Sequence, residues 1–322
     1  MDRKSLRNFT HNAENFLTTD SNFYKQWIFR YTFLELEKDL GSKGDITTDS
    51  IFEENRKAKA QVLANSNGII AGLEEIRYFL VDSDPSFKPN IEGNFNVNFN
   101  KKDGDNVKSG EVLMEITAGI KDLMVIERII LNLLTRMCGI ATFTRKIVDK
   151  VKDYDVLLTP TRKTLWGLLD KKAVVIGGGG THRLNLTDAV LIKDNHLVFG
   201  DYDFDKILKK VIEKDPQCRF IEIEADNIDD AIKTGEAFKK YMNSGDVKCV
   251  GAVMLDNMKS EDVSKALKLL KEKNIYDSLL FEASGGIKEA NVLEYAKTGV
   301  DIISMGCLTG GVECFDLKMQ IV

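Results

Sequence analysis

The sequence predicts a two-domain α/β protein: a mixed α+β domain with antiparallel strands, then a series of βα units. Three observations lead there. The chain has 322 residues, which at roughly 150 residues per domain suggests two domains, or one large domain with an appendage. Residues from about 20 to 120 carry period-2 strand patterning broken by turn signals. Beyond Met124, short β-rich runs alternate with helical stretches. Within those runs Val190, Ile221, Val253, Leu280 and Ile302 recur 31, 32, 27 and 22 residues apart, about one βα unit each.

In chain order, Lys57–Ala64 alternates polar and apolar residues as a half-buried strand does. Gly68–Gly72 follows, then a helical stretch around Leu73–Leu80. Asp103-Gly104-Asp105 signals a tight turn before a strand at Val112–Ile116. Apolar residues at 126, 129, 130, 133, 134 and 137 form one helical stripe. The β-rich runs are Ala189–Ile192, Phe220–Ile223, Gly251–Leu255, Leu279–Ala283 and Asp301–Met305. Helical segments separate them around Phe204–Glu213, Ile228–Tyr241 and Ser260–Lys273, with another at Glu289–Thr298. Such units favour a parallel sheet closed, or nearly closed, into a barrel; an open doubly wound sheet is the alternative.

Composition excludes several classes. Hydrophobic residues are 43% and charged residues 30%, ordinary for a globular chain, so wholesale disorder is excluded. The net charge of −5 argues against a general nucleic-acid or membrane-surface binder. No apolar run reaches the ~18 residues of a membrane span, and the N-terminus lacks a signal-peptide core. The five cysteines are scattered without Cys-x-x-Cys, which fits a reducing cytoplasm and neither a disulfide scaffold nor a zinc knuckle.

The β-rich runs are followed by reactive residues. Lys193 follows Ile192, Glu224 follows Ile223 and Asp256 follows Leu255. Ser284-Gly285-Gly286 follows Ala283, and Gly306 follows Met305. In a (β/α) barrel those positions ring one mouth, where sites are built. A strand-end Asp is also a common helix N-cap; five strand ends carrying such residues together point to a site. Glycines after the last two strands suit a backbone cradle for a phosphate. Upstream, Thr161-Arg162-Lys163-Thr164 and Thr181-His182-Arg183 flank Gly177–Gly180, a cationic cluster suited to a pyrophosphate or a dicarboxylate. No GxGxxG fingerprint opens a helix, which disfavours a dinucleotide, and no histidine spacing supports a structural metal.

Taken together, these motifs resemble the quinolinate phosphoribosyltransferase family, the carboxylating nicotinate-nucleotide pyrophosphorylases. The resemblance spans about Gly44 to Leu317. It includes Gly44-Asp45-Ile46-Thr47-Thr48, Glu127-Arg128, Thr161-Arg162-Lys163-Thr164, His182-Arg183, Leu191–His196, Leu255-Asp256-Asn257 and Glu282–Gly286. It implies an N-terminal α/β sandwich over 1–125, with the tail 307–322 packing on it, and an incomplete α/β barrel over 126–306. It further implies a cytoplasmic homodimer, with no nucleic-acid or membrane partner. The implied reaction joins quinolinate to phosphoribosyl pyrophosphate with Mg2+, giving nicotinate mononucleotide, pyrophosphate and CO2 for NAD synthesis.

Carried over by position, Lys163, Lys193, Glu224 and Asp256 are the catalytic set. Arg162, Lys163, His182, Arg183 and Lys193 line an anion pocket, and Arg128 reaches the neighbouring subunit's site. Glu224 and Asp256 face the ribose and the Mg2+, directly or through water. Ser284, Gly285, Gly286 and Gly306 hold the 5′-phosphate. The chain departs from the family pattern at Pro160, Thr181, Asn185 and Thr309-Gly310-Gly311. Those departures leave open a paralogue of the kind found with molybdate transport, or another aromatic carboxylate as acceptor. Two further classes are a Schiff-base barrel lyase using Lys193 and a non-catalytic phosphate or nucleotide sensor.

Overall fold

The computed structural model describes residues 1–88, 91–215, 217–242 and 249–322. In chain order the strands are β1 (Lys57–Ala64), β2 (Gly68–Ile69), β3 (Asn96–Phe99), β4 (Asn106–Val107), β5 (Val112–Gly119) and β6 (Leu157–Thr159). They continue as β7 (Val190–Ile192), β8 (Phe220–Ala225), β9 (Val250–Asp256), β10 (Leu280–Ser284), β11 (Ile302–Ser304) and β12 (Leu317–Ile321).

The chain forms two compact units that interleave in sequence. One comprises Glu14–Lys146, Thr164–Gly178 and Gly311–Val322; the other comprises Met1–Ala13, Ile147–Lys163 and Gly179–Gly310. A single division near residue 125 does not describe this arrangement, and the reasons are local. Residues 126–146 continue a helix, Ile120–Lys150, whose stripe at Ile126, Ile129, Ile130, Leu133, Leu134 and Met137 is buried in the first unit. Thr164–Gly178 joins that unit through Asp170, a buried carboxylate held by Arg136 at 2.8 and 2.9 Å. Residues 1–13 belong to the second unit because helix α1 (Arg3–His11) is tied there by ion pairs. Arg3 grips Asp301 with two nitrogens, at 2.5 and 2.8 Å, and Arg7 reaches Asp155 at 2.7 Å.

The first unit is built on an antiparallel sheet in the order β12-β1-β5-β3. β1 lies centrally, with Ala60 opposite both Ile116 and Ile321. Ala60, Val62 and Ala64 are fully buried, as the period-2 pattern requires of one face. The tail strand β12 therefore completes this sheet. The helix Asn22–Leu40 buries Tyr24, Ile28, Thr32, Leu36 and Leu40 at four-residue spacing, the geometry of one helical face.

The second unit is a six-stranded parallel sheet in the order β6-β11-β10-β9-β8-β7. Read around a ring, that is chain order opened between β6 and β7, the order of a barrel. A doubly wound sheet would reverse direction partway. Every residue of β8 is buried. One face carries Ile221, Ile223 and Ala225, and the other carries Phe220, Glu222 and Glu224, because side chains alternate along a strand. The helix Phe204–Lys214 begins where Asp203 accepts the Lys206 N–H at 2.9 Å, an N-cap of the usual kind. The helix between β10 and β11 spans only Val292–Ala296, shorter than the sequence suggests, since Asn291 is spent closing a turn on the Lys288 N–H.

Candidate active site

The C-terminal ends of the six parallel strands converge on a cavity of about 330 Å³. Thr161, Arg162 and Lys163 follow β6, while Leu191 and Lys193 come from β7. Glu224, Met254, Asp256, Ser284 and Ser304 stand at the ends of β8 to β11. His182 and Arg183 enter from the segment before β7. Thus Lys163, Lys193, Glu224, Asp256, Arg162, His182, Arg183 and Ser284 come together on one cavity. Gly285, Gly286 and Gly306 extend the strand-end loops but do not line it, and Arg128 is exposed on the helix of the other unit.

The cavity is lined by both charges. Arg183 is buried, and its Nε has no hydrogen-bond partner. Burial and the charge of Arg162 depress its pKa from the usual value, but arginine remains cationic regardless. A buried, unsatisfied guanidinium donor beside a second guanidinium suits an anion with paired oxygens. Lys193 Nζ lies 3.1 Å from Glu224 Oε1, and the Asp194 N–H donates to Glu224 Oε2 at 3.1 Å. Burial raises the Glu224 pKa, and Asp256 adds to the rise, against the opposing effect of Lys193 and the Asp194 N–H.

The loops at the strand ends are shaped by backbone demands. Gly285 has φ +88°, and a Cβ there would meet the Asn257 N at 2.6 Å. Asn257 itself sits at φ +55°, a conformation asparagine tolerates, and its amide donates to Asp256 Oδ2 at 2.7 Å. The β9 and β10 ends are thereby locked together.

His182 adopts φ +53°, unusual for a side chain with a Cβ. Its Nδ1 accepts the Arg183 N–H at 2.7 Å, and its Nε2 faces Glu282 at 3.2 Å and Glu222 at 3.3 Å. Burial opposes a charge on the ring, and the two carboxylates favour one, raising its pKa from the usual histidine value. The Arg183 N–H acts the other way, because charging the ring would set two N–H groups against each other at 2.7 Å. That contact decides the tautomer: the ring's proton sits on Nε2, toward the carboxylates.

Sequence reasoning did not single out Leu191, Met254 or Ser304 as site residues, although each stands at a strand end. It also missed Glu222 and Glu282. Their signal was present as a lone acid inside an otherwise apolar strand, a position that is rarely unpaired.

Comparison with known proteins places this architecture. The C-terminal domain model of quinolinate phosphoribosyl transferase matches residues 140–320, and its N-terminal domain model matches residues 45–138. A probable nicotinate-nucleotide pyrophosphorylase [carboxylating] of Methanocaldococcus jannaschii is 36% identical over 304 residues, covering 92% of this chain and 98% of its own length. A protein of the same name from Methanothermobacter thermautotrophicus is 32% identical over 290 residues, covering 89% and 96%. Among solved structures, the nicotinate-nucleotide pyrophosphorylase of Francisella tularensis superposes with a TM-score of 0.77 at 28% identity, covering 92% of this chain and 97% of its own.

Proposed function

Because the chain belongs to the quinolinate phosphoribosyl transferase family, we propose that its cavity joins quinolinate to phosphoribosyl pyrophosphate and decarboxylates the adduct. The products are nicotinate mononucleotide, pyrophosphate and CO2, a step of NAD synthesis. The observation that carries this reading is that one cavity gathers both Arg162, Lys163, His182 and Arg183 and the carboxylates Glu224 and Asp256.

Each group has a task. The arginine forks orient the two carboxylates of quinolinate and bring the ring nitrogen to the sugar C1 as a positioned nucleophile. As the C1–oxygen bond to pyrophosphate breaks, positive charge grows on the ribose, and the carboxylates of Glu224 and Asp256 stabilise it. Lys163 and Lys193 meet the departing oxygens. Once the ring nitrogen is alkylated, the cationic ring stabilises the electron pair that CO2 leaves on the ring carbon, which then takes a proton from water, so no side-chain nucleophile is required. Ser284 and the Gly285, Gly286 and Gly306 loops take the 5′-phosphate.

Glu224 and Asp256 also fit a Mg2+ ion, directly or through water. They are two carboxylates in a partly desolvated cavity, and each Glu224 proton lost there is disfavoured by burial and by Asp256. When bound, the ion supplies charge neutralisation for pyrophosphate. The proposal includes a homodimer in which Arg128 completes the neighbouring copy's cavity. It also places the enzyme in the cytoplasm, consistent with five free cysteines. No helix among the described residues is long and apolar enough to cross a membrane.

The departures from the family pattern do not alter the cavity wall. Thr181 is fully buried and accepts the Ala13 N–H at 2.9 Å. Asn185 caps a turn at Thr187, and neither Pro160 nor Gly310 lines the cavity. Lys193 is ion-paired to Glu224, whereas an imine-forming lysine needs apolar or cationic surroundings. Incubation with quinolinate, phosphoribosyl pyrophosphate and Mg2+ is expected to release CO2 and pyrophosphate in equal amounts. Pyrophosphate release only with another aromatic carboxylate would reassign the acceptor, and release with none would overturn the proposal.

A further inference from the structure

We propose that His11, at the end of the N-terminal helix α1, is a positioning residue for His182. It acts through the buried carboxylates Glu222 and Glu282 and through its own backbone carbonyl. The inference rests on the reaction assigned above and adds a residue outside the cavity to it.

Helix α1 plugs the end of the parallel sheet opposite the cavity. Its arginines pair with Asp301, just before β11, and Asp155, just before β6, and Arg3 also donates to the Tyr276 carbonyl upstream of β10. From that plug His11 reaches the interior, fully buried and stacked on Phe220 with ring centroids 4.6 Å apart. Its carbonyl accepts the N–H groups of both Thr181 and His182, at 2.8 and 3.0 Å. This close approach needs Gly180, where a Cβ would meet that carbonyl at 2.6 Å. The unusual φ of His182 is thus held by the residue at the end of α1.

The ring makes a second connection. Thr10 Oγ1 has one hydrogen and lies 3.0 Å from the carbonyls of both Leu6 and Arg7, so it accepts from His11 Nδ1 at 2.8 Å. His11 Nε2 then faces Glu282 Oε2 at 3.4 Å and Glu222 Oε1 at 3.8 Å. The edge of the His11 ring thus packs against both acids. The same two carboxylates face His182 Nε2, Glu222 at 3.3 Å and Glu282 at 3.2 Å. Glu222 thus stands between the two rings, with Oε1 toward His11 and Oε2 toward His182, while Glu282 turns one oxygen, Oε2, to both.

The four side chains also have the makeup of a metal site, with ligand atoms within 4.8 Å of one another. Hydrogen-bond polarity speaks against it. A metal on Nε2 of neutral His182 requires a proton on Nδ1, and Nδ1 already accepts the Arg183 N–H.

The chain has three histidines, so long-range 15N–1H spectra can resolve each ring. His182 is expected as the Nε2–H tautomer, and His11→Leu is expected to shift its ring signals. In kinetics, His11→Leu should raise the KM for quinolinate by roughly 10–100-fold, the effect of misplacing a binding group by about an ångström. The KM for phosphoribosyl pyrophosphate should change less than about twofold. In a His182→Gln background, His11→Leu should add nothing further. Thr10→Val, which keeps the side-chain shape and removes the hydroxyl that partners Nδ1 and the helix carbonyls, should give the same changes at smaller size and serves if His11→Leu does not fold.

Unchanged His182 signals and quinolinate KM in a folded variant would overturn the inference. So would additive losses in the double variant, or one equivalent of tightly bound zinc or manganese lost on His11→Leu. If the wild-type protein does not turn over quinolinate, the function assignment fails, but the spectra still decide whether His11 positions His182.

Discussion

Lys193 and Glu224 form an ion pair at 3.1 Å that spans the exits of two neighbouring strands, with the lysine half-exposed and the carboxylate almost buried. The acid is thus aimed by the strand beside it. Glu224→Gln preserves volume and the acceptor for the Asp194 N–H while removing the charge. Steady-state kinetics should show kcat down by about 10²–10³, the scale of losing one preorganised electrostatic contact, with substrate KM values changed little. A loss confined to KM would make Glu224 a binding group only.

The strand-end glycines separate two reasons for being glycine. Gly285 combines φ +88° with backbone atoms inside 3 Å of a Cβ, while Gly286 has φ +64° but open space around it. At Gly306 a Cβ would meet nothing nearer than Thr161 Oγ1 at 3.8 Å, so the fold tolerates alanine there. Thermal melts should therefore rank Gly285→Ala as strongly destabilising, Gly286→Ala as costing about 1 kcal/mol, and Gly306→Ala as neutral. A several-fold rise in KM for phosphoribosyl pyrophosphate in the well-folded Gly306→Ala would show the 5′-phosphate approaching that backbone. No change would remove Gly306 from the phosphate loop.

Strand ends were legible in the sequence because period-2 runs and their spacing locate them, and chemistry follows each run by one or two residues. The strands at Leu157–Thr159 and Leu317–Ile321 were not. Three residues are too few to establish a period, and a tail strand exists only because β1 offers it an edge. Helix α1 was equally opaque, since its purpose depends on Asp155 and Asp301, about 150 and 300 residues away. The same distance hides His11 from Glu282. Composition can flag an acid in an apolar strand, but it cannot name the partner that topology delivers.

The antiparallel-sheet unit carries a titratable group of its own. Glu75 is fully buried, and Tyr24 Oη donates to its Oε1 at 2.5 Å. Burial and the nearby Asp103 raise its pKa to about 8, against the opposing pull of Lys172 and Tyr24. An unfolded glutamate titrates near 4.3, so between these values the folded chain keeps a proton that the unfolded chain has released. Stability contributed at this position is therefore complete below about pH 4 and is lost progressively as pH rises toward 8. Glu75→Gln mimics the protonated acid and retains the Tyr24 contact. Its melting temperature should match the wild type near pH 4.5 and exceed it by roughly 5 °C at pH 8, for a difference of a few kcal/mol. A gap of the opposite sign, or one that does not grow with pH, would mean that Glu75 is charged in the folded chain.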